Sequence, residues 1–432
     1  MKKHAPFTLS ALAAGSLVLA GCGGGTAGPG AAVAEAASID ACEPSEVSLT
    51  VTFGQQAEEA MEVAVAKLRE DYPGVEVSAV ASPTSSYDDL TQTIVADIAV
   101  GKRPDLIMAG LGQLRFWVDT YDPAPIDVDA LPDTYQRQFL PAGTIDGTVY
   151  LAPAQISAPV LMVNQDALEA AGAGAAADIS DYDAWMAAAE KVTAHTGKPS
   201  VSIPTLGLAD WFAQAFVQGA GGTFVAPDGS AGFADERGID ALSIWTRMHE
   251  AGLELGVVDD QDAWGQFMSG NVPFLVSTTS VVAMLQDAIG DSFQWLPIDL
   301  PTVEGVQGPL PAGGNGWIVL SDDACHAAFA NELVGNLLSE EGVLAASGEG
   351  FSYIPVDTAA AEKLLASPSA TPQLTYAWTY DYELTPWGGF DGDVTAQIND
   401  SFRTMAQQLQ TGADPEATVS GAAATVDSIL GQ

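Results

Sequence analysis

The chain has 432 residues, with 14 Lys and Arg against 56 Asp and Glu and a formal net charge of -42 at pH 7. So acidic a balance opposes binding to nucleic acid and to anionic membrane surfaces, which both take their affinity from basic side chains. The length exceeds what one simple core holds and suits two lobes of ordinary size.

Residues 1–21 read as an export signal. Lys2 and Lys3 precede a short apolar run at 7–20, too few residues to span a bilayer as a helix. Leu19-Ala20-Gly21-Cys22 resembles the lipobox of bacterial lipoproteins, which implies that Cys22 is lipidated and becomes the first mature residue. Residues 22–45, Gly/Ala/Pro-rich through 37, read as a flexible tether. Cys42 and Cys325 remain, either to pair in an oxidising exterior or to stay as thiols. Two cysteines with 4 scattered histidines form no metal-ligand spacing, and no metal or cofactor is expected.

Residues 48–53 (SLTVTF) alternate and read as a strand, 57–72 as a helix, 75–80 as a strand, 87–99 as a helix and 105–109 as a buried strand. This is the doubly wound α/β pattern, whose ligands sit beyond the carboxyl ends of the strands, here at Gln55, Gln56 and the loop 110–113. At 147–166 two apolar runs flank Pro153, Gln155-Ile156-Ser157 and Pro159. The segment reads either as a chain crossing between two sheets or as one buried strand with a proline bulge. Beyond it helices are expected at 181–196, 210–218, 235–252, 262–269 and 281–289, with short strands at 201–203 and 272–277. Residues 309–320 (PLPAGGNGWIVL) and 351–355 read as further crossings. The glycines at 313–316 lack the Lys-Ser/Thr ending of a phosphate loop and precede a strand. Helices at 325–339, 399–410 and 418–430 complete the chain.

Several phrases in this order resemble the extracellular solute-binding proteins of bacterial ABC importers, the large carbohydrate-binding family. They are Arg103-Pro104-Asp105-Leu106-Ile107, Ser157-Ala158-Pro159-Val160-Leu161 with Asn164, Gly221-Gly222 ahead of Asp228-Gly229, Phe267-Met268-Ser269-Gly270-Asn271 and Gly313-Gly314. The resemblance covers essentially the whole mature chain. It implies a two-lobed α/β fold of the type II periplasmic-binding-protein kind, with a hinge of several crossing strands and the ligand cleft between lobes. The first lobe is expected at 46–154 and 315–354, the second at 155–314 and 355–432. It also implies a monomeric, lipid-anchored extracytoplasmic binder, not an enzyme, that serves ABC permease subunits with a cytoplasmic ATPase.

Within the family the likeness is nearest to the glycerol 3-phosphate-binding branch, through Ser86-Tyr87-Asp88, Ser277-Thr278-Thr279-Ser280 and Tyr353-Ile354-Pro355-Val356. It implies that Tyr87, Ser157, Trp211, Ser280, Gly314 and Tyr353 line the cleft. Where that branch carries an arginine before its last helices, this chain has Thr385-Pro386-Trp387-Gly388-Gly389. A phosphate dianion needs charge-assisted partners, so the expected solute is a neutral sugar, oligosaccharide or polyol, with glycerol 3-phosphate or a glycerophosphodiester as the alternative.

A sugar offers apolar faces and a ring of hydroxyls. Stacking candidates are therefore Trp211, Trp387, Trp317, Tyr87 and Tyr353, with Trp317 equally suited to a core. Trp185, Trp245 and Trp295 are read as core. Gln55, Gln113, Ser157, Ser280 and Asn315 are the hydrogen-bonding candidates, and Asp105 is read as structural. Trp211 and Trp387 are both expected to be removable without loss of the fold. A secreted polysaccharide-degrading enzyme is the reading from another class, but no carboxylate spacing singles out an acid–base pair.

Overall fold

The computed structural model of the protein describes residues 36–84, 86–347, 350–381 and 383–432. The expected signal at 1–21, Cys22 and the tether as far as residue 35 lie outside the described residues. From there on the tether reading is corrected. Ala37 N–H donates to Ala324 C=O at 3.0 Å, single-turn helices cover Ile39–Ala41 and Pro44–Glu46, and Cys42 is disulfide-bonded to Cys325. Long-range bonds hold this stretch, and local composition carries no sign of them.

β1 (Ser48–Gly54), α1 (Glu58–Asp71), β2 (Glu76–Ser82), α2 (Tyr87–Ala99), β3 (Leu106–Gly110) and α3 (Leu114–Tyr121) follow the expected alternation, and β1 is parallel to both β2 and β3. β3 is buried throughout, which explains its continuous apolar run. Ser86 Oγ accepts from Asp89 N–H at 3.3 Å and so starts α2 at Tyr87.

The hairpin β4 (Thr144–Ile145) and β5 (Thr148–Val149) leads into β6 (Ala152–Ser157) and β7 (Pro159–Asn164), which belong to different sheets. Ala158 alone stands between them. Its N–H donates to Thr279 Oγ1 at 3.1 Å and its C=O accepts from Thr279 N–H at 3.0 Å. Pro159 opens β7, where its missing N–H costs no ladder bond. Pro153 lies inside β6 opposite Gly316, beside a register shift that tolerates the lost donor.

The second lobe is built from α4 (Gln165–Ala171), α5 (Tyr182–Thr196), β8 (Val201–Ser202), α6 (Ala209–Gly219), α7 (Glu236–Leu242), α8 (Ile244–Glu250), α9 (Asp260–Met268), β9 (Phe274–Thr278), α10 (Val282–Ile289) and β10 (Trp295–Asp299). Its sheet runs β10-β7-β9-β8. The single helix expected at 235–252 is interrupted at Ser243, whose hydroxyl donates back to Asp240 C=O at 2.6 Å. α9 starts two residues before its expected 262, because Asp259 accepts from Asp262 N–H at 2.7 Å.

The chain returns through β11 (Leu310–Pro311) and β12 (Gly313–Val319), which is antiparallel to β3 and β6. α11 (Ala324–Leu337) and α12 (Glu340–Ala346) pack on α1, and β13 (Ile354–Pro355) closes the first sheet in the order β13-β6-β12-β3-β1-β2. α13 (Thr358–Leu365), α14 (Pro372–Trp378), β14 (Leu384–Thr385), α15 (Thr395–Gln410) and α16 (Pro415–Leu430) follow.

The expected lobe boundaries shift. Gln155, Ile156, Ser157, Gly313, Gly314 and Pro355 all lie in the first sheet. Thr358 N–H still bonds Thr134 C=O at 2.9 Å, and attachment to the second lobe begins at Thr371 and Gln373, which donate to Gln286 and to Trp295 C=O. The prolines and glycines read as hinge marks are absorbed at strand ends and a bulge, so the crossings fall a few residues beyond them. Among the described residues no helix is long and apolar enough to cross a membrane.

Candidate functional site

The carboxyl end of β3, the amino end of β12 and the last residue of β6 converge on a cavity of about 630 Å³ walled by both lobes. That volume lies in the range of roughly 300–1,000 Å³ typical of small-molecule sites. The first lobe contributes Tyr87 and Asp88 from the start of α2, the loop at Gly112 and Gln113, Ser157 and Gly314. The second contributes Asp210 and Trp211 from α6, Asp260 and Trp264 from α9, and Ser280, Trp387 and Arg403. Phe351 and Tyr353 lie where the lobes meet.

Aromatic rings are prominent in the lining. Trp211 and Trp387 have ring centroids 5.8 Å apart at 45°, and the Trp211 indole N–H donates to Pro311 C=O at 3.0 Å. The Trp387 N–H donates to Asp210 Oδ2 at 2.7 Å. Its ring lies so close to Gly112 that a Cβ there would stand 2.7 Å from the indole, so only glycine permits this approach. Tyr353 stacks on Phe351 with centroids 5.7 Å apart at 20°. Gly314 has φ 106° and packs against the Gln155 carbonyl, a conformation closed to ordinary L residues.

The polar groups differ in what they already hold. Gln113 is spent on protein, since its Nε2 donates to Asp88 Oδ1 at 2.9 Å and its Oε1 accepts from Thr91 Oγ1 at 2.8 Å. Ser280 Oγ sits 3.1 Å from Thr278 Oγ1. Ser157 is only 4% exposed, and its hydroxyl has no hydrogen-bond partner among the described residues while lining the cavity. Buried polar groups are normally paired, so this hydroxyl is free to make a further hydrogen bond.

Burial pushes the Asp210 carboxyl up to about 6, with the Trp387 N–H pulling the other way. Burial also raises Asp260 to about 6, reinforced by the neighbouring Asp259 charge. The Tyr87 and Tyr353 hydroxyls are raised by burial and face one another. Arg403 is the one basic side chain on the cavity wall among the described residues, and its Nη1 lies 2.9 Å from Asp400 Oδ1.

Eight of the ten expected residues line this cavity: Tyr87, Gln113, Ser157, Trp211, Ser280, Gly314, Tyr353 and Trp387. Gln55 does not. β1 ends at Gly54 and the next turn points Gln55 to solvent and buries Gln56, whose C=O accepts from Gln155 Nε2 at 2.9 Å. Asn315 does not either. It is fully buried in β12, where its Nδ2 donates to the Tyr87 hydroxyl at 3.2 Å and to Gln155 Oε1 at 2.8 Å, so it supports Tyr87 from behind. Trp317 packs on Phe53 with centroids 6.3 Å apart and belongs to the core, as do Trp185, Trp245 and Trp295. Asp105 accepts from Thr50 N–H at 2.7 Å and from Ser321 Oγ at 2.8 Å, a structural role.

Asp210, Asp260, Trp264, Phe351 and Arg403 also line the cavity and were not anticipated. Asp210 and Phe351 adjoin or nearly adjoin expected residues. For Asp260 and Trp264 the signal was an acidic helix start beside a tryptophan. For Arg403 it was the rarity of basic residues, 14 in the whole chain.

Solved structures share this architecture at low sequence identity. The cyclic alpha-maltosyl-1,6-maltose binding protein from Arthrobacter globiformis superposes with a TM-score of 0.73 at 20% identity, covering 89% of this chain and 99% of that one. The GacH receptor of Streptomyces glaucescens, solved unliganded and with acarbose, gives 0.71 at 17%, covering 90% and 100%. UgpB from Mycobacterium tuberculosis in complex with glycerophosphocholine gives 0.72 at 16%, covering 88% and 98%. No curated protein sequence matches the chain. Residues 63–375 match a family as a whole. The chain belongs to the bacterial extracellular solute-binding proteins.

Proposed function

We propose that the protein is the substrate-binding component of an ABC importer. It captures a sugar, oligosaccharide or polyol by closure of its lobes and hands it to permease subunits driven by a cytoplasmic ATPase. The observation that carries this reading is the conjunction, in one interlobe cavity, of tryptophan and tyrosine faces with the unpartnered Ser157 hydroxyl. Flat apolar surface beside free hydrogen-bonding groups is what a sugar ring requires. Closure is a population shift, so the solute binds the closed form better than the open one. Two of the similar proteins are a cyclic maltosyl-maltose binder and one solved with acarbose, which supports the class. Lipidation at Cys22 would hold the monomer at the outer face of the membrane.

A glycerophosphodiester is the second reading. It is favoured by Arg403 on the cavity wall, whose Nε is buried without a partner, and by the likeness to UgpB. A melting-shift screen of oligosaccharides, polyols and glycerophosphodiesters tests both, since a ligand that binds the folded chain alone stabilises it by RT ln(1 + [L]/Kd) and so raises the melting temperature. A shift with saccharides and no product formed supports capture, and hydrolysis of the saccharide overturns it.

A further inference from the structure

We propose that the captured solute carries an ammonium group, either a protonated amine or a quaternary ammonium, held against Asp210 and Asp260 beside the Trp211 and Trp387 rings. The inference rests on the reading of the cleft as a site for polyhydroxylated solutes and adds one chemical group to it.

Carboxylates enter the cavity from both lobes, Asp88 from the first and Asp210 and Asp260 from the second. The only positive charge on the wall among the described residues is Arg403, and Asp400 already holds it at 2.9 Å. The carboxylates feel one another: the Asp88 charge raises Asp210, and the Asp210 charge raises Asp260. Like charges are thus gathered around one volume whose single described cation, Arg403, is paired with Asp400 instead. Closing the lobes lowers the local dielectric and strengthens their repulsion. A neutral solute leaves that repulsion standing, whereas a cation turns it into attraction and favours the closed form.

Independent features point to a ligand here. Ser157 is more than nine-tenths buried with an unpartnered hydroxyl on the cavity wall. Among the described residues no side-chain donor reaches the Asp260 carboxylate, although it lines the cavity. The tryptophan pair adds a further preference, since the face of an indole is the best aromatic partner for a cation within about 6 Å. A carboxylate alone also accepts from sugar hydroxyls, but hydroxyls do not neutralise charge shared across two lobes.

The test is calorimetry on the purified protein with matched pairs at low and high ionic strength. Deacetylated chito-oligosaccharides are compared with cello-oligosaccharides of equal length, and glycerophosphocholine with glycerophosphoglycerol, a phosphodiester of the same phosphate charge that lacks the ammonium. The expected result is that the ammonium member of one pair binds at least about 10-fold tighter at low salt, that added salt narrows the gap, and that Asp260→Asn shrinks it. A preference in the first pair assigns an amino sugar, and one in the second a quaternary ammonium. Members without the ammonium binding as tightly as their partners overturn the inference and leave solute capture standing. A panel in which no member binds overturns both.

Discussion

The indole N–H of Trp387 donates to Asp210 Oδ2 at 2.7 Å, linking positions 177 residues apart on the cleft wall. One bond thereby orients an indole ring on the cleft wall and supplies a buried carboxylate with a donor. Hydrogen bonds to charged groups contribute about 1.5–3 kcal/mol, so this one matters to both partners.

Trp387→Phe keeps an aromatic face and removes that donor. Asp210 then titrates above its present value of about 6, and solute affinity falls by about 10-fold or more. Calorimetry reads the affinity. NMR titration of the Asp210 carboxyl reads the upward shift, and an unmoved midpoint contradicts the assigned role of the bond.

Trp211→Ala behaves differently from the expectation that it leaves the fold intact. Trp211 is 1% exposed and its N–H is tied to Pro311 C=O at the second crossing. Loss of a buried tryptophan of this kind costs about 3–5 kcal/mol. Denaturant melts will show a large drop for Trp211→Ala and a smaller one for Trp387→Ala, whose ring is less enclosed.

Glu254 sets a pH dependence away from the cleft. Its Oε1 accepts from Ile203 N–H at 3.1 Å and from Gln410, its Oε2 is buried without a partner, and burial pushes its carboxyl from 4.5 up to about 8. Between those values the folded chain keeps a proton that the unfolded chain releases. The stability associated with this group is therefore full below pH 4.5 and is lost as pH rises towards 8, by at most about 1.4 kcal/mol per pH unit. Asp210 and Asp260 act in the same direction between 3.8 and about 6. Melts of wild type and Glu254→Gln across this range will show a flatter upper limb in the variant.

Reducing the Cys42–Cys325 disulfide opens a loop of sequence separation 283. The expected loss is about 2–4 kcal/mol of stability. Solute affinity is expected to hold, because α11 begins beyond the end of β12 that points away from the cleft. Paired melting and calorimetric measurements with and without reductant separate the two effects.

The sequence by itself determined the strand and helix alternation of the first lobe and named most of the aromatic and hydroxyl residues that border the gap, while 147–166 stayed open between a crossing and a bulged strand until β6 and β7 were seen in different sheets. Those features are legible because hydrophobic period, helix caps and proline are local signals. Only the tertiary structure decided that Gln55 turns outward while Gln56 turns in, that Asn315 stands behind Tyr87, and that Asp88, Asp210 and Asp260 share one cavity. It also decided the pairing of Cys42 with Cys325 and the burial of Trp211. Each of these depends on the meeting of segments far apart in the chain, and the direction of a side chain at a strand's end is set by what packs behind it, which no local pattern encodes.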